Sequence, residues 1–146
     1  MDKKEIISRV EKLLKERKGI VMVLTVDKFS MPHGRYMDCT RGDDNLSLYF
    51  ATFVNTEKVE QLKNNPNAEV VVTGKNFVET ANLSGVMNFY DAEKDKIAAG
   101  KKSFLISRFP GLRPEDIVIL KFTPKAIKYL DQKAPLRPLP IYKVVL

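Results

Sequence analysis

Cysteine and histidine each occur once, at Cys39 and His33. A single cysteine excludes an intrachain disulfide and any multi-cysteine metal centre, and a single histidine excludes a multi-histidine site. No metal is therefore expected. Long hydrophobic runs are also missing: the longest, Val21 to Val26, is interrupted by Thr25 and falls far short of the roughly 20 residues needed to span a bilayer. The N-terminal stretch "MDKKEIISRVEKLLKERKG" has no apolar core of the signal-peptide kind. Internal repeats and low-complexity tracts are absent too. These absences lead to the expectation of a soluble, cytoplasmic chain with no membrane partner.

What is present is 146 residues with 44% hydrophobic content, enough for one domain over 1–146 with a real core. The net charge of +7 is unevenly spread. Residues 1–18 carry a surplus of three positive charges, residues 19–100 a deficit of three, and residues 101–146 a surplus of seven. Basic ends of this kind suit nucleic acid, but no recognised binding motif accompanies them, so nucleic acid is disfavoured as a partner. Anionic small molecules account for the charge at least as well, and a solvated basic surface is the plainest account.

Ile6, Ile7, Val10, Leu13 and Leu14 recur at helical spacing, which predicts an amphipathic helix over 3–17 within an N-terminal segment 1–18 ended by Gly19. "GIVMVLTVD" reads as a buried strand, "KFSMPHG" as a turn, "RYMDCTR" as a second strand and "LSLYFAT" as a third. A short helix is expected from Thr56 to Asn64. "AEVVVTG" is a fourth strand, and "FVETANLSGVMNFY" a long fifth whose Ser84–Gly85 pair predicts a bulge or sharp bend. Helical turns over 91–109 lead to a Pro–Gly loop. "IVILKF" and "AIKYLD" follow around a "TP" kink, and the Pro-rich tail 132–146 runs extended before adding an edge strand. Short polar turns between strands imply antiparallel pairing. A mainly β fold with flanking helices follows, and the pattern alone leaves closed barrel and sandwich equally open.

The stretch "LYFATFVNTEKVEQLKNNP" puts Lys58 in the first turn of a helix, where the macrodipole disfavours a cation. With Thr56 as N-cap, free first-turn N–H groups and the dipole make an anion site, and a bound phosphate turns the unfavourable placement into a charge-assisted contact. Thr52 at the end of the preceding strand supplies a further hydroxyl, and Arg35 a bidentate guanidinium. The plain alternative is a capped helix whose exposed lysine is offset by neighbouring Glu57.

The segment "RYMDCT…LYFATFVNTEKVEQLKNNPNAEVVV" resembles the flavin-binding split-barrel proteins related to pyridoxamine 5'-phosphate oxidase, especially their short general-stress-type members. An arginine-led strand, an apolar strand ending in threonine, a Ser/Thr-x-Lys helix start and an "N-P-x-V" return occur in the family's order. The similarity continues through "VETANLSGVMNFYD" and "DIVILKFTPKAIKYLD", so it covers roughly residues 5–131. It implies an antiparallel six- to seven-stranded split β-barrel, homodimeric, with FMN at the subunit interface. By position, the resemblance assigns Arg35 and Lys58 to the FMN phosphate with Thr56 and Thr52 assisting, and Tyr36 and Met37 to the strand along the isoalloxazine. Thr80 stands where the oxidase has a flavin-touching glutamine. Glu57 stands where the oxidase has a second basic phosphate ligand, and "PLRPLPIYKVVL" lacks its substrate-clamping arginine and histidine. The implied activity is an FMN-dependent oxidoreductase acting on a small-molecule substrate or electron donor other than pyridoxamine phosphate.

Two alternatives stand beside it: a non-enzymatic binder of flavin, haem or deazaflavin, and a basic nucleic-acid-binding module. His33 in "MPHG" reads as an exposed turn residue before it reads as a proton donor, and Cys39 as an apolar filler before a redox group. Tyr36, Phe50, Phe53, Phe77 and Phe89 read as core or dimer-interface aromatics. Arg108, Phe109 and Arg113 read as a solvated loop before a reach toward a partner's ligand. No acid–base residue stands out, which suits a cofactor that carries the chemistry itself.

Overall fold

A computed structural model describes residues 1–43, 45–133 and 139–146. Helix α1, Lys3–Glu16, begins with a reciprocal cap: Asp2 accepts the Glu5 N–H at 2.8 Å while Glu5 accepts the Asp2 N–H at 3.0 Å. Its apolar stripe of Ile6, Val10, Leu13 and Leu14 is buried. The chain leaves the helix through Lys18 and Gly19, both at positive φ (54° and 77°). A side chain at Gly19 would strike the carbonyl oxygen of Cys39, so this turn requires glycine.

Strands β1 (Ile20–Val26), β2 (Pro32–Asp38), β3 (Thr40–Arg41), β4 (Leu48–Phe53), β5 (Asn67–Thr73), β6 (Glu79–Tyr90), β7 (Ile117–Asp131) and β8 (Ile141–Val145) form one antiparallel sheet in the order β2-β1-β5-β6-β7-β4-β3, with β8 added to β7. β2 and β3 are one run interrupted at Cys39, so the sheet amounts to six strands plus β8. The run pairs with β1 over 32–38 and then with β4 through Thr40–Tyr49 and Arg41–Leu48. It thereby closes the ring at one end and leaves it split above. β7 takes the place of the two strands "IVILKF" and "AIKYLD": it is continuous through Pro124, pairing with β4 over 117–122 and with β8 over 126–130. The expected break at Ser84–Gly85 is present as a register shift between β6 and β7.

The second strand begins at Pro32 rather than Arg35, because "MPHG" pairs in register with Leu24–Val26 instead of turning. Helix α2 (Glu57–Asn64) and helix α3 (Lys96–Arg108) lie outside the sheet. The core holds the inward residues of the strands together with the α1 stripe: Val21, Val23, Phe50, Val70, Leu83, Phe122 and Tyr129. α3 covers the outer face of β4 and β7, where Tyr49, Ala98 and Ile119 form a second cluster. The edge strand expected in the tail is β8, while Pro135 and Pro138 lie outside the described residues. Among the described residues no helix is long and apolar enough to cross a membrane.

Candidate functional site

The split in the ring is the site. Cys39 N–H donates to the Gly19 carbonyl at 2.8 Å, and Asp27 N–H to the Met31 carbonyl at 3.0 Å. Odd-numbered residues of β2 therefore direct their backbone groups to β1, and even-numbered residues turn theirs away. Gly34, Tyr36 and Asp38 present N–H and C=O groups toward the gap, and β2 pairs with no other strand among the described residues. The facing edge of β4 above Tyr49 is likewise free of a strand partner on that side. The result is a cleft between β2 and β4, closed below by the Thr40–Tyr49 pair and headed by the start of α2.

The head of the cleft is cationic. Arg35 points into the barrel, where its Nη1 donates to the Thr25 hydroxyl at 2.8 Å and to the Val23 carbonyl at 3.3 Å. The Thr25 hydroxyl in turn donates to Oε1 of Gln61 on α2, and both residues are buried. Burial depresses the pKa of Arg35, opposed by the nearby Glu57 carboxylate. Burial also depresses that of Lys58, and the positive charge of Arg35 adds to the effect. The two cations thus share one half-buried space and repel each other. Among the described residues neither has a carboxylate within ion-pair distance.

Thr52 is buried on β4. Thr56 occupies the N-cap position of α2 but does not cap: its hydroxyl donates to the Phe53 carbonyl at 3.2 Å. The expected capping contact is therefore absent, and that hydroxyl does not serve the first-turn N–H groups. Thr56→Ala should cost less than about 0.5 kcal/mol, below the ~1 kcal/mol of a working cap. A urea titration showing a full cap's loss would contradict this placement.

Tyr36 and Met37 divide by parity. Tyr36 is 72% exposed and offers backbone groups to the cleft, whereas Met37 packs against the core and its backbone faces β1. Thr80 lies three strands away from β2, paired with Thr73 and Leu130, so the fold of this chain does not bring it to Arg35 and Lys58. Of the aromatics, Phe50 is in the core, while Phe77 and Phe89 are exposed. Phe77 sits in a loop at positive φ beneath Arg17. Phe53 stacks edge-on against Phe109, which ties the loop after α3 to the end of β4, and Arg113 pairs with Asp116 within its own loop. Thr25 and Gln61 belong to the site although the motif did not include them. Their only signals were a hydroxyl interrupting an apolar run and an amide one turn after Lys58 on the inner face of α2.

His33 is hydrogen-bonded at 2.8 Å to Asp27, which also accepts the N–H groups of Phe29 and Met31. This ties the histidine into the β1–β2 turn. Burial pushes the Cys39 thiol up to about 11, with Lys101 opposing. The thiol should therefore react with iodoacetamide at pH 8 on the order of a hundredfold more slowly than a free cysteine. Alkylation at the free-thiol rate would show that the burial is wrong. A separate groove of about 870 Å³ runs between α1 and the end of β3, rimmed by Lys12, Lys15, Lys18 and Arg41. Its lysines project from exposed positions, where solvent screens them, and Arg41 is paired with Glu11 at 2.7 Å, so it lacks the half-buried cation pair of the cleft head. Among the described residues no cluster of His, Cys, Asp and Glu could hold a metal.

The model of the family described as pyridoxamine 5'-phosphate oxidase matches residues 8–131. General stress protein 26 of Bacillus subtilis (strain 168) is 32% identical over 143 residues, covering 92% of this chain and 96% of that protein. Among solved structures, a Clostridium acetobutylicum protein related to general stress protein 26 aligns with a TM-score of 0.73 at 21% identity, over 100% of this chain and 97% of that one. An FMN-binding, pyridoxamine 5'-phosphate oxidase-related protein from Nostoc punctiforme PCC 73102 aligns with a TM-score of 0.67 at 14% identity, over 95% of each chain.

Proposed function

The chain belongs to the pyridoxamine 5'-phosphate oxidase family, and from that premise we propose that it is a homodimeric FMN-binding flavoprotein and an oxidoreductase acting on a small molecule. The observation that carries this reading is the pair Arg35 and Lys58, two half-buried cations at the head of the cleft with no carboxylate within ion-pair distance among the described residues, Glu57 acting on Arg35 only from farther away. Such a pair is costly alone and is offset by a dianionic phosphate. The first-turn N–H groups of α2, left uncapped by Thr56, add donors at the same point.

The donor set fits FMN. Arg35 and Lys58 hold the phosphate, with Thr25 and Gln61 fixing the guanidinium from behind and Thr52 and Thr56 nearby. The outward backbone groups of Gly34 and Tyr36 suit the polar edge of the ring system. When bound, FMN would supply the redox chemistry, with a small-molecule reductant such as a dihydronicotinamide as electron source. The chain's part is to bind and orient it.

The homodimer reading draws support from the outer face of β1, β2 and β5. Ile20 (47% exposed), Tyr36, Met22, Leu24 and Val71 form an apolar surface that neither α2 nor α3 covers. Thr80 lies on the continuation of this face, since Ala81 and Leu83 point inward. In a dimer closed there, Thr80 would meet the ligand of the second subunit. A substrate other than pyridoxamine phosphate suits this reading, because the tail "PLRPLPIYKVVL" has no counterpart of the arginine–histidine pair that the resemblance to the oxidase would place there.

The test is an absorbance spectrum of the protein as purified, followed by titration with FMN and then NADH or NADPH. A bound flavin band that bleaches with the nucleotide is expected. Colourless protein that takes up no added FMN would contradict the assignment.

A further inference from the structure

Lys101 stands one turn after the buried Ala98 on α3 and extends across the outer mouth of the cleft to β2. Its side chain is only 10% exposed. Among the described residues its one carboxylate contact is Asp38 Oδ1 at 3.7 Å, longer than a hydrogen bond, and the Asp38 side chain is 62% exposed. The aliphatic stem of Lys101 is thus largely covered, which holds the ammonium at this point, and a well-hydrated carboxylate at that distance is a weak counter-ion for it. Asp38 lies two residues above the Thr40–Tyr49 closure, and by the parity of β2 its backbone groups face the cleft. The charge of Lys101 also reaches Cys39, on the adjoining residue. Asp38 and Cys39 therefore place this ammonium at the lower cleft, away from Arg35 and Lys58 at its head.

We propose that Lys101 supplies positive charge to the electron-rich N1–C2=O edge of the flavin ring and so favours the reduced over the oxidised cofactor. This rests on the flavin reading above and adds a residue to it. A hydride donor delivers two electrons and a proton to N5, which leaves one negative charge spread over N1 and the C2 carbonyl. An ammonium held in place by its covered stem, with no carboxylate closer than 3.7 Å among the described residues, would be suited to that charge.

The experiment loads FMN into wild-type protein and into Lys101→Met, Lys101→Arg and Asp38→Asn. It measures FMN affinity by fluorescence quenching, and the two-electron midpoint by dithionite titration against a reference dye. Lys101→Met should bind oxidised FMN nearly as wild type does but reduced FMN about tenfold more weakly, lowering the midpoint by about 30 mV. Lys101→Arg should restore most of the loss. Asp38→Asn, which removes the competing carboxylate, should shift the midpoint upward. A residue that merely clips α3 to β2 would leave all midpoints alike, and that result overturns the proposal. Should Lys101→Met fail to fold, Asp38→Asn decides: an unmoved or lowered midpoint rejects the role of Lys101. Wild-type protein that takes up no FMN removes the flavin reading itself, whereas uptake with unmoved midpoints removes only the assignment of Lys101.

Discussion

Lys58→Glu combined with Arg35→Ala should weaken FMN binding about a thousandfold or more while leaving the barrel folded. Hydrogen bonds between charged groups contribute about 1.5–3 kcal/mol each, so two lost phosphate contacts amount to roughly 3–6 kcal/mol, and the new carboxylate adds repulsion. The fold should survive because neither side chain belongs to the apolar core. Arg35 does bond to Thr25, but Thr25 keeps its own bond to Gln61.

A finer form of the same prediction separates binding from stability. Lys58 bears the cost of burial and of Arg35's charge. Lys58→Met should therefore raise the stability of the FMN-free protein, by no more than about 1 kcal/mol for a half-exposed group screened by solvent, while lowering FMN affinity. Opposite signs in a melting curve and a binding titration are the mark of a residue placed for a ligand. Losses in both, or binding within threefold of wild type in the double variant, would show that the phosphate is bound elsewhere.

The second large effect is expected at Gly85. A Cβ there would strike the Thr123 carbonyl oxygen and come within 2.8 Å of the Pro124 Cα. Both obstacles are backbone, in the strand that pairs along the whole of β6. Relief would require separating β6 from β7 at the point where their register shifts. Gly85→Ala should cost about 3 kcal/mol or more and lower the melting temperature by roughly 10 °C. Gly100→Ala is the control. That glycine is inside α3 with nothing within 4 Å of the added methyl, so the change should stabilise by about 0.5–1 kcal/mol. Denaturant titrations in which Gly85→Ala loses nothing, or in which Gly100→Ala loses as much, would contradict the corresponding placement.

Gly85 also shows which features were legible in the sequence. A Ser–Gly pair inside a long alternating strand has few explanations, and the bulge appeared where it was expected. α1 was equally legible, because its apolar spacing and the Gly19 stop are both local. The start of β2 was not. "MPHG" has the composition of a turn, and only pairing with Leu24–Val26, a tertiary fact, makes it a strand. Phe77 shows the reverse: alternation put it in a strand, yet the loop over 74–78 turns it out to solvent.

At the site, the sequence made Arg35 and Lys58 candidates through spacing and family resemblance, but their separation of 23 positions says nothing of a shared space. That came from closure of the ring at Thr40–Tyr49. Thr56 carried the sequence signature of a cap, but its hydroxyl bonds backward to Phe53 instead. Thr25, Gln61 and Lys101 drew no notice as site residues because a polar group in an apolar run, or a lysine in a basic helix, acquires meaning only from what it faces.

The most direct test of the account compares FMN with riboflavin, which differ by the phosphate alone. Wild-type protein should bind FMN at least a hundredfold more tightly, and in the Lys58→Glu, Arg35→Ala variant the two ligands should bind alike. Equal affinities in wild type, or a preference for FMN that survives in the variant, would show that the head of the cleft is not the phosphate site.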